Sequence, residues 1–134
     1  MSNYLQKGHK YLFSDVSHTW FEARAECELY GGWLVQIKEF AEFNCLMRHG
    51  KREEIHTWYW IDGNDVDDTG VWTHAYDNSD VTYFTPTITC GDACSCPGGG
   101  DAFMVHVGGN KHSRSNYCDW DSNTSYKFIC EAII

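Results

Sequence analysis

The chain has 134 residues, 43% of them apolar and 16% aromatic, which suits one core-bearing domain over residues 1–134 and excludes a disordered segment. Lys+Arg is 10 and Asp+Glu is 19, a net charge of −9, so a nucleic-acid binder is excluded and an anionic membrane surface is a poor partner. No apolar run approaches the roughly 20 residues that a spanning helix needs.

Residues 4–13 read as two short strand pieces across a turn. A helix is predicted over about 17–30, with Ser14 or Ser17 as its cap. Trp20, Ala23, Cys27 and Tyr30 recur on one face of it. Gly31-Gly32 ends the helix, and Trp33–Ile37 is a strand. A second helix is predicted over about 39–49, with Phe40, Phe43, Leu46 and Met47 as its apolar stripe and Gly50 as its stop. Residues 51–56 form a charged loop.

Trp58-Tyr59-Trp60-Ile61 is aromatic and β-branched, as a half-buried strand requires. Asp62-Gly63 carries a turn signal. Asp65, Asp67 and Asp68 make an acidic loop, and Gly70-Val71-Trp72 returns to an apolar strand. These carboxylates suit either a solvated turn or an oxygen-ligand cation site. Residues 73–80 are polar and turn-rich, and Val81–Phe84 has strand character. Residues 85–101 show no period, and a loop of that length in a compact domain is usually functional. Phe103–Val107 is a strand, 108–116 a polar loop, and Tyr117–Trp120 and Lys127–Cys130 the last two strands.

Seven cysteines and the sequon Asn123-Thr124-Ser125 fit a secreted protein in an oxidising compartment, with Asn123 as a glycosylation acceptor. Met1–Lys10 is polar and reads as no leader, so a secreted form of this chain is expected to be mature. An odd cysteine count leaves one thiol free or bonded between chains. Cys90, Cys94 and Cys96 with Cys118 would make an unusual four-thiolate zinc site; disulfides suit the sequence better. The seven histidines are scattered, and no G-x-S-x-G, HExxH or P-loop motif occurs, so an enzyme is not expected.

Ala23-Arg24-Ala25-Glu26-Cys27, Gly31–Ile37, Trp60-Ile61-Asp62-Gly63, Gly70-Val71-Trp72 and Phe128-Ile129-Cys130-Glu131 together resemble a C-type lectin-like domain over residues 4–131. Tyr117-Cys118-Asp119 and Cys45 look most like invertebrate, arthropod-like members. The resemblance implies an α+β fold of two helices and two small antiparallel sheets, a Cys27–Cys130 disulfide, and ligand binding through the upper loops. Sugar-binding members hold Ca²⁺ with a Glu-Pro-Asn or Gln-Pro-Asp triplet, and neither occurs here. Their Trp-Asn-Asp corresponds to Tyr117-Cys118-Asp119, where Asp119 matches and Cys118 does not. Asp65 matches one ligand of an auxiliary Ca²⁺ site, while Thr69 stands where that site has a carboxylate. Asp65 and Asp119 are thus the metal candidates that match the family's Ca²⁺ ligands, and weak or absent Ca²⁺ binding is expected.

The usual second disulfide would fall near Ala102 and Ser122, neither of them a cysteine. Cys118 is then left to pair with Cys90, Cys94 or Cys96, and Cys45 competes for another of these. Carbohydrate or glycoprotein is the expected partner. Tyr76, Tyr83, Phe84, Tyr117 and Trp120 offer stacking faces, and Asp65, Asp92, Asp101 and Asp119 accept hydroxyls. The alternative is a structural or protein-binding domain. The odd cysteine points to a homo-oligomer, closed or filamentous, with Cys45, Cys90, Cys94 or Cys96 near the interface.

Overall fold

The computed structural model describes residues 2–6, 8–67, 71–82, 100–107 and 117–133. In chain order the elements are β1 (Ser2–Gln6), β2 (His9–Phe13), α1 (Trp20–Leu29), β3 (Trp33–Leu34), α2 (Phe40–Arg52), β4 (Thr57–Asn64), β5 (Thr73–His74), β6 (Ala102–Val107), β7 (Tyr117–Trp120) and β8 (Lys127–Ile133). The α+β class expected from the resemblance holds.

The strands run in the order β1-β2-β8-β4-β6-β7, with β3 also on β8 and β5 on β4. All pairings are antiparallel except β4–β8, where Tyr59 faces Lys127 and Trp60 faces Phe128. That parallel pairing fuses the two expected sheets into one mixed sheet. Val35 braces the same junction: its N–H donates to Ile129 O at 2.9 Å and its carbonyl accepts from Asp62 N at 3.0 Å. Beyond Leu34 the predicted strand 33–37 therefore continues as buried extended chain rather than as a ladder.

β4 is buried on both faces, so its alternation builds two cores. Tyr59 and Ile61 join Phe13, Leu46, Phe103 and Ile129 under α2. Trp60 joins Trp20, Ala23, Leu34, Phe128 and the Cys27–Cys130 pair under α1. The disulfide has formed, with Cα atoms 5.3 Å apart across 103 positions of sequence.

Several local expectations are corrected. Helix α1 is capped by Thr19, not by Ser14 or Ser17. Thr19 Oγ1 accepts from Glu22 N, and Glu22 Oε1 accepts from Thr19 N at 3.0 Å, a reciprocal capping box. Ser14 instead ties β2 to β8, its hydroxyl accepting from Phe128 N at 2.9 Å. Tyr30 follows the helix and is exposed.

At Gly31 the backbone takes φ +80°, the left-handed conformation that closes a helix. At Gly32 a Cβ would lie 2.1 Å from Glu131 O, so only glycine lets the chain pass β8 there. Gly50 does not stop α2. It lies buried inside the helix, and Glu54, at φ 56°, makes the left-handed turn two residues beyond Arg52. Phe40 is 65% exposed and leaves the stripe to Phe43, Leu46 and Met47.

Asp62-Gly63 is strand, not turn. A Cβ on Gly63 would sit 2.7 Å from the Phe103 ring, so this glycine serves close packing between β4 and β6. Trp72 precedes the short β5 and packs its ring, tilted by 39°, on Phe103 with centroids 4.5 Å apart.

Candidate functional site

The β4–β6 register brings the predicted loop-end residues together. Asn64 pairs with Ala102 after an irregularity that begins at Trp60. Beyond it, Asp65 N donates to Asp101 O at 3.0 Å, and Asp101 N donates to Trp120 O at 3.0 Å. Asp65, Asp101 and Trp120, far apart in sequence, thus share one backbone junction. Asn64 stiffens it: its Nδ2 donates to Asp62 O and Thr73 O at 3.3 Å each, and its Oδ1 accepts from Val66 N at 3.1 Å.

The side chains at this junction have distinct duties. Both Asp101 carboxylate oxygens accept from Ser122, one from its N–H and one from its hydroxyl, each at 2.7 Å. Ser122 stands where the resemblance placed a disulfide half. The Asp101–Ser122 link therefore ties the same two segments by hydrogen bonds. Sequence reasoning offered Asp101 as a hydroxyl acceptor and missed this pairing, which lies 21 positions away.

Asp119 faces Phe103 across β6 and β7 and is only 3% exposed. Trp120, on the other face of β7, is half-buried against the Trp20–Trp60 core. Tyr76 is exposed and stacks on Trp33 with centroids 4.3 Å apart. Asn123 is exposed in the turn after β7, its N–H donating to Asp121 Oδ1 at 2.9 Å. Cys45 is a free, half-buried thiol, against the expectation that it competes for a loop cysteine. Tyr117 and Cys118 belong to β7. Tyr83, Phe84, Cys90, Asp92, Cys94 and Cys96, like Asp68 and Thr69, lie outside the described residues.

Among the described residues no group of three or more His, Cys, Asp or Glu side chains is placed to hold a metal ion. Asp65 and Asp119 do not by themselves make a Ca²⁺ ligand set, since that ion takes six to eight oxygens.

A second polar cluster supports the 73–80 segment. Asp62 is 1% exposed, and its Oδ2 accepts from Tyr76 N and Gln36 Nε2, each at 3.0 Å. Gln36 Nε2 also reaches Asp77 Oδ1 at 3.2 Å, and Lys38 Nζ lies 3.1 Å from Asp77 Oδ2. Burial pushes the Asp62 carboxyl up to about 6, against these donors, which favour its charged form. Burial pushes His74 down to about 4. The Ser79 hydroxyl, then Lys38, hold Asp77 well below the usual carboxylate range.

A stability prediction follows from this cluster. Between about pH 4 and 6 the folded state keeps a proton on Asp62 that the unfolded chain has released, so Asp62 makes stability fall as pH rises. Neutral His74 acts in the opposite sense up to about pH 6.5, because there the unfolded chain holds the extra proton. The two contributions offset each other in the wild type. In Asp62→Asn the first is gone, and the variant gains roughly 2–3 kcal/mol on the wild type between about pH 4 and 7. Urea unfolding at each pH measures this gain. A constant difference would mean that Asp62 is ionised in the fold throughout.

The two-core α+β fold with the disulfide from first helix to last strand defines a C-type lectin-like domain. The Lectin C-type domain model matches residues 16–132, and the chain belongs to that family. Domains of this family commonly bind Ca²⁺. A perlucin-like protein from Mytilus galloprovincialis is 30% identical over 78 residues, 58% of this chain and 50% of that protein, so the match spans half of that relative's length. Among solved structures, the mouse scavenger receptor C-type lectin carbohydrate-recognition domain superposes with TM-score 0.77 at 21% identity, covering 98% of this chain and 93% of that one. Human lithostathine superposes with TM-score 0.78 at 18% identity, covering 98% and 97%. At those identities the likeness shows the fold alone.

Proposed function

We propose that the chain is a secreted, non-enzymatic recognition module that binds carbohydrate or glycoprotein at the loop end without the family's usual Ca²⁺–sugar site. The observation that carries this reading is the family match over residues 16–132 combined with the missing triplet. Where a sugar-site Asn is usual, Cys118 is a soft donor to a hard cation. Asp119, the one matching ligand, is buried against β6. Trp120 supplies an apolar face for a sugar ring beside Asp65 and Asp101 at the loop-end junction, and Tyr83, Tyr117 and Asp92 enter this reading from the sequence alone. A glycan array run with Ca²⁺ and with chelator tests the proposal. Binding is expected to survive chelation. Loss of all binding in chelator, or no glycan bound in either buffer, overturns it.

A second reading, self-assembly, is favoured by the seven cysteines. With Cys27 and Cys130 joined, five remain, an odd number, and Cys45 is a free thiol on α2. Sedimentation in oxidising buffer should then show an oligomer that reductant dissolves. A monomer at all concentrations without reductant rejects it.

A further inference from the structure

Helix α1 is apolar on two opposite sides. At about 100° per residue, Trp20, Ala23 and Cys27 share the side that faces the core, and all three are buried there. Phe21, Ala25 and Leu29 recur four positions apart, so they stand one above the other on the side turned away from the core. Phe21 is 44% exposed, Leu29 is 82% exposed, and Ala25 is exposed between them. Apolar residues scattered singly over a surface are ordinary, but three in one row along the crest of a helix make an unpartnered face. Ala25, small and central, leaves a hollow between the two larger side chains, the shape that receives a side chain from a second helix.

Carboxylates border the row. Glu22 and Glu26 lie along one flank, and Glu28 lies along the other with Arg24 beyond it. Glu22 accepts from Thr19 N at 3.0 Å and lies 3.9 Å from His18, Glu26 accepts from the Tyr30 hydroxyl at 3.5 Å, and Glu28 pairs with Arg24 at 3.5 Å. Only the last of these contacts brings a permanent cation. The face therefore sets three carboxylates against one guanidinium, and no Lys or Arg among the described residues pairs with Glu22 or Glu26.

The face is also held rigid. The reciprocal cap at Thr19 fixes the first turn, and the Cys27–Cys130 bond ties the last turn to β8. A partner meets a preformed surface and loses little by ordering it. From Phe21 to Leu29 the row runs about 12 Å, which one helix covers and which falls far short of the roughly 800 Å² per partner of a stable dimer. A second copy of α1 would bring the same excess of carboxylates and be repelled, as would an anionic lipid surface.

We propose that the outer face of α1 docks an amphipathic helix of a protein partner, whose apolar row packs on Phe21, Ala25 and Leu29 and whose Lys or Arg side chains meet Glu22, Glu26 and Glu28. This face shares no residue with the loop-end junction and stands or falls apart from carbohydrate binding.

The experiment is a ¹⁵N–¹H titration of the intact, disulfide-bonded protein with a synthetic helical peptide of leucine, alanine and lysine, its leucines in one row and its lysines on both flanks. Saturable shifts are expected at the amides of Phe21, Ala25 and Leu29, with binding that weakens as salt rises. A peptide of the same composition in shuffled order, and one with glutamate for every lysine, should not saturate. Leu29→Gln alters a side chain that is mostly in solvent, so the fold survives, and it should weaken binding about tenfold. Glu26→Gln should weaken binding less and flatten its salt dependence, while Glu53→Gln, beyond the end of α2, should change neither. Sedimentation and flotation with phosphatidylcholine vesicles test the other occupants. Equal binding by the shuffled or acidic peptide, or an affinity unchanged in Leu29→Gln or Glu26→Gln, overturns the proposal. A wild-type dimer that Leu29→Gln dissolves, or vesicle attachment lost in Leu29→Gln, overturns it in favour of a second copy or a lipid surface.

Discussion

Replacing Cys27 and Cys130 together by alanine lowers stability by about 4–5 kcal/mol, the largest effect expected from any change in this chain. The bond links positions 103 residues apart and so removes the loop-closure entropy of a long loop from the unfolded chain. The native state adds a further reason. Both sulfurs are buried in the core under α1, beside Trp20, Leu34 and Phe128, so the double variant also leaves a small cavity there. Cys45→Ala is the control: that thiol is half-buried and free, and its loss should cost about 1 kcal/mol or less. Urea unfolding of the wild type with and without reductant should reproduce the larger difference. A double variant within 1 kcal/mol of the wild type would contradict a bond that closes a loop of 103 positions.

The strands and helices that build the core were legible in sequence wherever a local period decides burial, but its division into two clusters on either side of β4 was not, because Trp58–Ile61 reads as a half-buried strand. Trp58–Ile61, Phe103–Val105 and Phe128–Cys130 are apolar at consecutive positions, and each lies in a strand covered on both faces. Trp20, Ala23 and Cys27 at helical spacing met the core as expected.

The misreadings share a cause. Asp62-Gly63 looks like a turn because its partners are invisible locally: Gln36 is 26 positions away, Tyr76 is 14 away, and the Phe103 ring requires the glycine. Gly50 looks like a stop, yet a buried helical glycine costs only about 1 kcal/mol, less than packing of α2 returns. Ser14 looks like a cap until β8 supplies Phe128 N to its hydroxyl.

The candidate site follows the same rule. The acidic residues could be named from composition, but that Asp101 holds Ser122 while Asp65 holds Asp101 depends on the β4–β6 and β6–β7 registers. Glu131, read as the tail of a closing strand, became the floor of a cleft because β2, β3 and the segment before α2 converge on it.

Trp60→Ala should cost about 3–5 kcal/mol, second only to loss of the disulfide. Trp60 is fully buried at the centre of β4, where that strand pairs with β6 on one side and β8 on the other. Its ring meets Tyr126 edge-on with centroids 5.5 Å apart, and its indole N–H donates to His18 O at 3.1 Å. Alanine would leave a void between the sheet and α1 that β4 cannot move to fill, because its opposite face is packed under α2 by Tyr59 and Ile61. Trp60→Phe separates volume from hydrogen bonding. His18 O also accepts from Tyr126 N at 2.9 Å, so it keeps a partner when the indole is lost. The phenylalanine variant should therefore lose only about 1–2 kcal/mol. Thermal and urea unfolding of both variants measure the split. Equal losses in the two would place the energy in the indole hydrogen bond rather than in the filled volume.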